Sequence, residues 1–322
     1  MIRLFLQNLF IYNLLLLPYI TILRIRSLIY PPSYDEIVGI SPVLNYIYLN
    51  VPPLALSILA ILLIFIQANL INYFTNSNKL HSKNSLVAGM VYALGMCLLP
   101  NFLILHPIII ANTFIIMMLI FLTSIYKKYK PINHLFLTGF FTGVSIIIMP
   151  HYIFIILFLL QGLLIFRDIN LKEFLQAIVG VIIPLFLMGT YFWITRDEPL
   201  GFLNLNFQLP KINFEQNTRF WVGFLISAGA VIYIIVNQNI LRKKKSAKSQ
   251  KVINLLYILM IYTIPITIFD PAMVTPHATL LIIPMSILYS VLLFVTKRLI
   301  LAEIVHIALI VFIFLLQFQV IL

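Results

Sequence analysis

The chain is 322 residues long, 62% hydrophobic and only 9% charged, with a mean hydropathy of +1.07. A soluble domain carries about 25% charged residues, so this composition excludes a soluble globule. The formal charge of +12 would suggest nucleic acid for a soluble protein, but in an apolar chain the same lysines and arginines set membrane topology, and no nucleic-acid partner is expected.

Only helices and closed barrels satisfy every backbone group in lipid, and the long apolar runs lack the alternation of barrel strands. The expected fold is therefore all-α, a polytopic transmembrane helical bundle, with residues 1–322 forming a single integral membrane domain. A span needs about 20 apolar residues. Candidates fall near 8–28, 51–74, 85–99, 107–126, 134–149, 152–166, 174–194, 220–237, 252–269, 278–295 and 300–321, about eleven in all. The third, fifth and sixth are short. Residues Phe10–Leu28 lack a small-residue cleavage site and are expected to stay as the first span. Cys97 is the lone cysteine, so no internal disulfide can form.

Sorting basic residues by loop gives a lopsided count. Sixteen of the 21 Lys and Arg fall at the N-terminus and in the even-numbered loops. The positive-inside rule then places that side in the cytoplasm of a bacterial inner (plasma) membrane and makes the protein multi-pass with a cytoplasmic N-terminus. Arg24 and Arg26 stand against this pattern, at the far end of the first span. Of the even loops, Arg242–Lys251 is the most basic; it reads first as a solvated cytoplasmic loop, with membrane lipids of anionic headgroup as its secondary partners.

The odd loops hold six of the nine acids, including Asp35, Glu36 and Asp270, and three of the six histidines. Each of those histidines flanks a proline: His106-Pro107, Pro150-His151 and Pro276-His277. Proline ends or starts a helix and shapes a turn, so these are helix-end histidines. They could gather in one pocket with the first-loop acids, or each could face lipid headgroups alone. Asp35 and Glu36 follow the first span directly, where a carboxylate can serve as general base or hold a divalent cation; a hydrated loop acid has the same sequence. No histidine spacing here matches a metal motif, so no metal site is assigned. Arg196, beside Asp197 and Glu198, suits a phosphate or a local ion pair. The last span carries one Glu303-x-x-His306 pair, where a di-iron bundle would need two such pairs and two further glutamates.

The loops differ in kind. The first, Ile29–Val51, has an apolar end over residues 43–49 suited to lying along the membrane surface. The seventh, Thr195–Arg219, is long enough for a short interfacial helix or hairpin.

From Ser85 to Ile194 the sequence resembles the membrane core of GT-C-fold glycosyltransferases. The likeness rests on a short span closing in Leu98-Leu99-Pro100-Asn101, then a long span with a basic turn through Lys130. A span with Gly139 and Gly143 follows, closes in His151-Tyr152, and leads through an apolar helix to Arg167. The chain also looks like a family of uncharacterised polytopic inner-membrane proteins of Bacteroidota, best over Leu70–Glu198. The GT-C resemblance implies a GT-C-like core, a catalytic acid in the first outer loop, at Asp35 or Glu36, and a polyprenyl-phosphate-linked sugar donor used at the outer face. His106, His151, Tyr152, Asp270, His277 and Arg196 would then bind substrate, and a divalent cation is the candidate cofactor. Two features depart from that pattern. The large soluble C-terminal domain of many members has no counterpart, and Asp35-Glu36 replaces the commoner Asp-x-Asp. The alternative function is a non-catalytic subunit or scaffold of an envelope assembly, or a transporter. Ion-coupled transport would place charges in mid-span, where this chain has only Glu303.

Overall fold

A computed structural model describes residues 5–6, 10–34, 37, 40–168, 170–203, 218–243, 245–269, 274–295 and 299–318. Among these residues the chain is helical, with no strand. The helices are α1 (Phe10–Leu14), α2 (Leu16–Leu23), α3 (Ile25–Ile29), α4 (Asn45–Asn50), α5 (Pro53–Ser77), α6 (Val87–Gly95), α7 (Pro107–Ser124) and α8 (Ile132–Ile148). They continue with α9 (Ile155–Phe166), α10 (Leu171–Arg196), α11 (Thr218–Val236), α12 (Gln238–Arg242), α13 (Ala247–Phe269), α14 (Val274–Val295) and α15 (Leu299–Gln317). Two 3₁₀ turns, Pro100–Leu103 and Pro150–Phe154, interrupt the α-helical runs.

Five of these helices are long and apolar enough to cross a membrane: α5, α7, α10, α13 and α14. Four shorter apolar stretches accompany them, at Ile11–Leu23, Ile132–Ile148, Pro150–Phe166 and Ala302–Gln317. The sequence expectation of an all-helical membrane protein is met at that level. The third candidate span is much shorter than its apolar run: α6 has only 9 residues. Its chain leaves the helix at Met96 and enters the Pro100 turn, where proline cannot continue an α-helix. The first candidate span is broken at Arg24, whose backbone (φ −109°, ψ 18°) is not helical.

One continuous apolar core runs from Phe5 to Ile313. Its tightest helix contact is between α8 and α10. A Cβ on Gly139 would lie 1.9 Å from the Ala177 carbonyl oxygen, and one on Gly180 would lie 2.3 Å from that of Phe136. Only glycine permits backbones to approach so closely, the usual device where lipid gives helices no hydrophobic reason to associate. Hydroxyls inside the spans bond their own helix: Thr142 donates to the Thr138 carbonyl (2.9 Å) and Ser145 to that of Thr142 (2.7 Å). Those two hydroxyls are thereby satisfied without water.

Contacts between loops sort the helix ends into two groups. In the first, the Ser249 hydroxyl donates to the Asn78 carbonyl (3.0 Å), His81 Nε2 meets Ser290 Oγ (3.0 Å), Arg167 donates to the Lys128 carbonyl (3.0 Å), and the Leu86 amide donates to the Phe5 carbonyl (2.8 Å). This end carries the lysine-rich turns. In the second, the residues after α2 meet those after α6, and the start of α14 meets the Pro150 turn. The side chain of Gln317 at the end of α15 donates to the Leu23 carbonyl (2.9 Å). This end carries His106, His151 and His277.

Candidate functional site

Proline shapes each histidine position. His106 is the N-cap of α7, with Pro107 opening the helix, and its Nδ1 accepts from the Ile108 amide (3.3 Å). Proline suits that first position because its missing N–H would have had no partner in the helix. His151 follows Pro150 in the 3₁₀ turn that ends the α8 run, and His277 follows Pro276 in the first turn of α14. All three side chains are buried.

The structure brings two of these turns together. The rings of His151 and His277 lie 6.2 Å apart at 75°, and those of Tyr152 and His277 lie 6.2 Å apart at 40°. Beneath them runs a chain of hydrogen bonds. The Tyr152 hydroxyl donates to Asn112 Oδ1 (2.7 Å), Asn112 Nδ2 donates to Thr279 Oγ1 (3.0 Å), and Thr279 donates to the Pro276 carbonyl (2.7 Å). Asn112 thus ties the α7 helix to both histidine turns. Its neighbour Thr113 belongs to a second buried network: Gln67 Nε2 donates to Thr113 Oγ1 (2.8 Å) and to the Ile109 carbonyl (2.6 Å), while the Tyr92 hydroxyl donates to Gln67 Oε1 (2.7 Å).

His106 joins this end through the first loop. The amide of Leu105 donates to the Tyr34 hydroxyl (3.4 Å), and Tyr34 stacks on Tyr48 (5.9 Å, 13°). Burial pushes the Tyr34 phenol above its ordinary pKa, so it is neutral. Tyr48 lies on α4, the short helix formed by the apolar end of the first loop; Tyr46 and Leu49 on the same helix are exposed.

Sequence reasoning missed the role of Arg24. It is completely buried and donates through Nη1 to the carbonyls of Phe102 (2.9 Å) and Met96 (3.3 Å), and through Nη2 to that of Leu103. These are the carbonyls freed where α6 stops and the Pro100 turn begins. Arg26 donates to the Gln317 carbonyl, and Gln317 Nε2 donates to those of Leu23 and Cys97. Of the two arginines that oppose the charge pattern, Arg24 therefore caps an interrupted helix inside the protein, and the half-buried Arg26 caps the end of α15. Asn112 was also missed; its only signal is an asparagine within an apolar run, a residue that seeks a partner when buried in a bundle.

Of the other predicted site residues, Asp35, Glu36 and Asp270 lie outside the described residues. Arg196 is exposed at the end of α10, its guanidinium 4.9 Å from the centre of the Phe192 ring. In the single Glu303-x-x-His306 pair, His306 is buried and stacks on Tyr19 (6.0 Å, 21°). Among the described residues no group of three or more His, Cys, Asp or Glu is placed to hold a metal ion. Compared with protein-family models, with curated proteins and with solved structures, the chain matches none of them.

Proposed function

We propose that the chain is an integral membrane glycosyltransferase with a GT-C-like core. It takes a sugar from a polyprenyl-phosphate-linked donor at the outer face of a bacterial inner membrane. The observation that carries this reading is the anchoring of the first loop: Tyr34, the residue before Asp35, is bonded to Leu105, the residue before His106. That bond fixes the residue before the first-loop acids to the residue before His106, and His106 shares its end of the helices with His151, Tyr152 and His277.

In the proposed step Asp35 or Glu36 accepts the proton of an acceptor hydroxyl as its oxygen bonds to the anomeric carbon. The bond from that carbon to the phosphate oxygen breaks, and its electron pair leaves with the polyprenyl phosphate. His106, His151 and His277, with Tyr152, Asp270 and Arg196, would surround the phosphate, and a divalent cation could share it. The chain's second reading is a non-catalytic membrane subunit or scaffold. It is favoured by the Tyr152–Asn112–Thr279 chain, whose groups satisfy one another and so tie helices without needing a ligand.

The test is Asp35→Asn with Glu36→Gln in the native host. Removal of such a base costs a factor of about 10²–10⁴ in rate. The expected result is a protein that inserts normally while envelope glycans or glycolipids fall to the level of a null strain. Wild-type glycans in the variant alongside loss in the null strain would remove these acids from the chemistry. An unchanged null strain would remove the glycosyltransferase reading in favour of the scaffold.

A further inference from the structure

The lysine-rich end carries a more specific feature than the positive-inside rule requires. Two ammonium groups from different parts of the chain approach one aromatic ring: Lys127 Nζ lies 5.7 Å and Lys251 Nζ 5.3 Å from the centre of Tyr126. Tyr126 is itself wedged edge-on against Phe166 (6.3 Å, 76°) at the end of α9. The turn between α7 and α8 holds Lys127 and Lys130 at φ 54° and 46°, in the left-handed region that side chains other than glycine and asparagine seldom occupy.

The neighbouring charges are already engaged. Lys128 Nζ meets His134 Nε2 at 2.9 Å, and Arg167 Nε donates to Glu173 at 2.8 Å. Asp168 and Glu173, the acids of this turn, both act on Arg167. Lys127 and Lys130 are exposed, Lys251 is half-buried, and Lys248 stands one helical turn before it. Topology needs basic residues at this end of the spans; it does not need two of them converging on one ring. The ring sits where three apolar runs, α7, α9 and α13, reach their polar ends, which is the height of lipid headgroups.

We propose that Lys127 and Lys251, gathered over Tyr126, form a binding site for the phosphodiester headgroup of an anionic phospholipid. The phosphate accepts from both ammonium groups, and the acyl chains enter the membrane alongside the apolar runs of α7, α9 and α13, whose polar ends meet at Tyr126. The site is independent of the proposed transferase centre at the opposite end.

The test uses the full-length protein purified in a neutral detergent and incubated with dioleoyl phosphatidylglycerol or dioleoyl phosphatidylcholine, with bound lipid counted by native mass spectrometry. Each lysine near a headgroup is worth about fivefold in affinity. Lys127→Gln with Lys251→Gln should lose phosphatidylglycerol adducts by at least about fivefold. The charge-matched pair Lys79→Gln with Lys83→Gln should keep them. Lys127→Arg with Lys251→Arg, which preserves both charges, should also keep them and shows that loss in the glutamine pair is not misfolding. Equal loss in the two glutamine pairs would overturn the site in favour of diffuse charge attraction. Equal binding of the two lipids would overturn it as well. Removal of the adduct by millimolar inorganic phosphate would overturn the lipid assignment in favour of a free anion.

Discussion

At the lysine-rich end several cations are exposed: Lys127, Lys128 and Lys130 project from the turn after α7, and Arg242 and Lys243 from the end of α12, while Lys245, Lys248 and Lys251 are half-buried. At the histidine end the cation that matters most, Arg24, has no exposure at all. Both ends face the same problem, because every helix terminus leaves about four backbone groups without partners. At the lysine end side chains in the short loops and the helix turns beside them supply such partners, through Ser249 to the Asn78 carbonyl, Asn76 to the Ser85 carbonyl, and Lys245 to the Leu80 carbonyl. At the histidine end α6 stops early within an apolar run, and one buried guanidinium collects three of the freed carbonyls. A basic residue in such a chain can therefore be either a topological marker or a structural cap, and burial decides which.

The largest effect that would break this comparison comes from Arg24→Met. The substitution keeps an unbranched stem but leaves three buried carbonyls without a donor, and each unsatisfied buried acceptor costs about 1–3 kcal/mol. A loss of at least about 3 kcal/mol is expected, read as a lower thermal transition in detergent and poor recovery on expression. Lys127→Gln, by contrast, should change the transition little, as exposed substitutions usually stay within about 0.5 kcal/mol. If Arg24→Met is as mild as Lys127→Gln, the caps at the two ends are equivalent and the contrast fails.

The middle effect belongs to the lysine end and depends on pH. His81 sits in the loop after α5, stacked on Phe294 (4.4 Å), between Ser85 and Ser290. Ser290 donates its own proton to the Ile287 carbonyl (2.6 Å), so its oxygen must accept from His81 Nε2–H, and His81 Nδ1 accepts from Ser85. Burial, with Lys245 adding repulsion, pushes the His81 pKa down to about 3. An unfolded histidine titrates near 6.5. Above that pH neither state is charged and the contribution is intact. As the pH falls from about 6.5 towards 3, the unfolded chain takes a proton that the folded chain refuses, and stability declines by on the order of 1 kcal/mol per pH unit. His81→Asn should flatten the dependence of the thermal transition on pH over that interval. A slope unchanged from wild type would assign the acid sensitivity to another group.

How much of this was legible in the sequence differs by end. The helical membrane class follows from composition and pattern, because only helices and closed barrels hide backbone in lipid and the long apolar runs lack a barrel's alternation. The grouping of loops could be read from Lys79, Lys127, Arg167 and Lys248, since lysine in a short loop reports position without needing a contact. The meeting of His151 with His277 could only be suspected, because proline marks a turn but not which turn it faces. Arg24 read as an anomaly of topology for the same reason: the carbonyls it serves lie more than 70 residues away in sequence, and no local pattern records them. Asn112 was hidden by its surroundings, one polar side chain in an otherwise apolar helix, its partners supplied by two other segments.

The smallest expected effect tests whether the histidine end is held by those partners. Tyr152→Phe removes one hydroxyl and leaves the ring, so packing against His277 is retained while Asn112 Oδ1 loses its donor. Hydrogen bonds between membrane helices are worth about 0.6 kcal/mol on average and about 1.7 at most, so a loss of about 1 kcal/mol is expected in the detergent-solubilised protein. Asn112→Leu removes the other half of the bond together with the one to Thr279. If the two changes act through one chain, the double variant should lose less than the sum of the single losses, because the second substitution removes a bond that the first has already broken. Strict additivity would mean that Tyr152 and Asn112 stabilise the fold separately. The histidine turns would then be joined by ring packing alone, and the two ends of the bundle would differ in their cations but not in how their helices are tied.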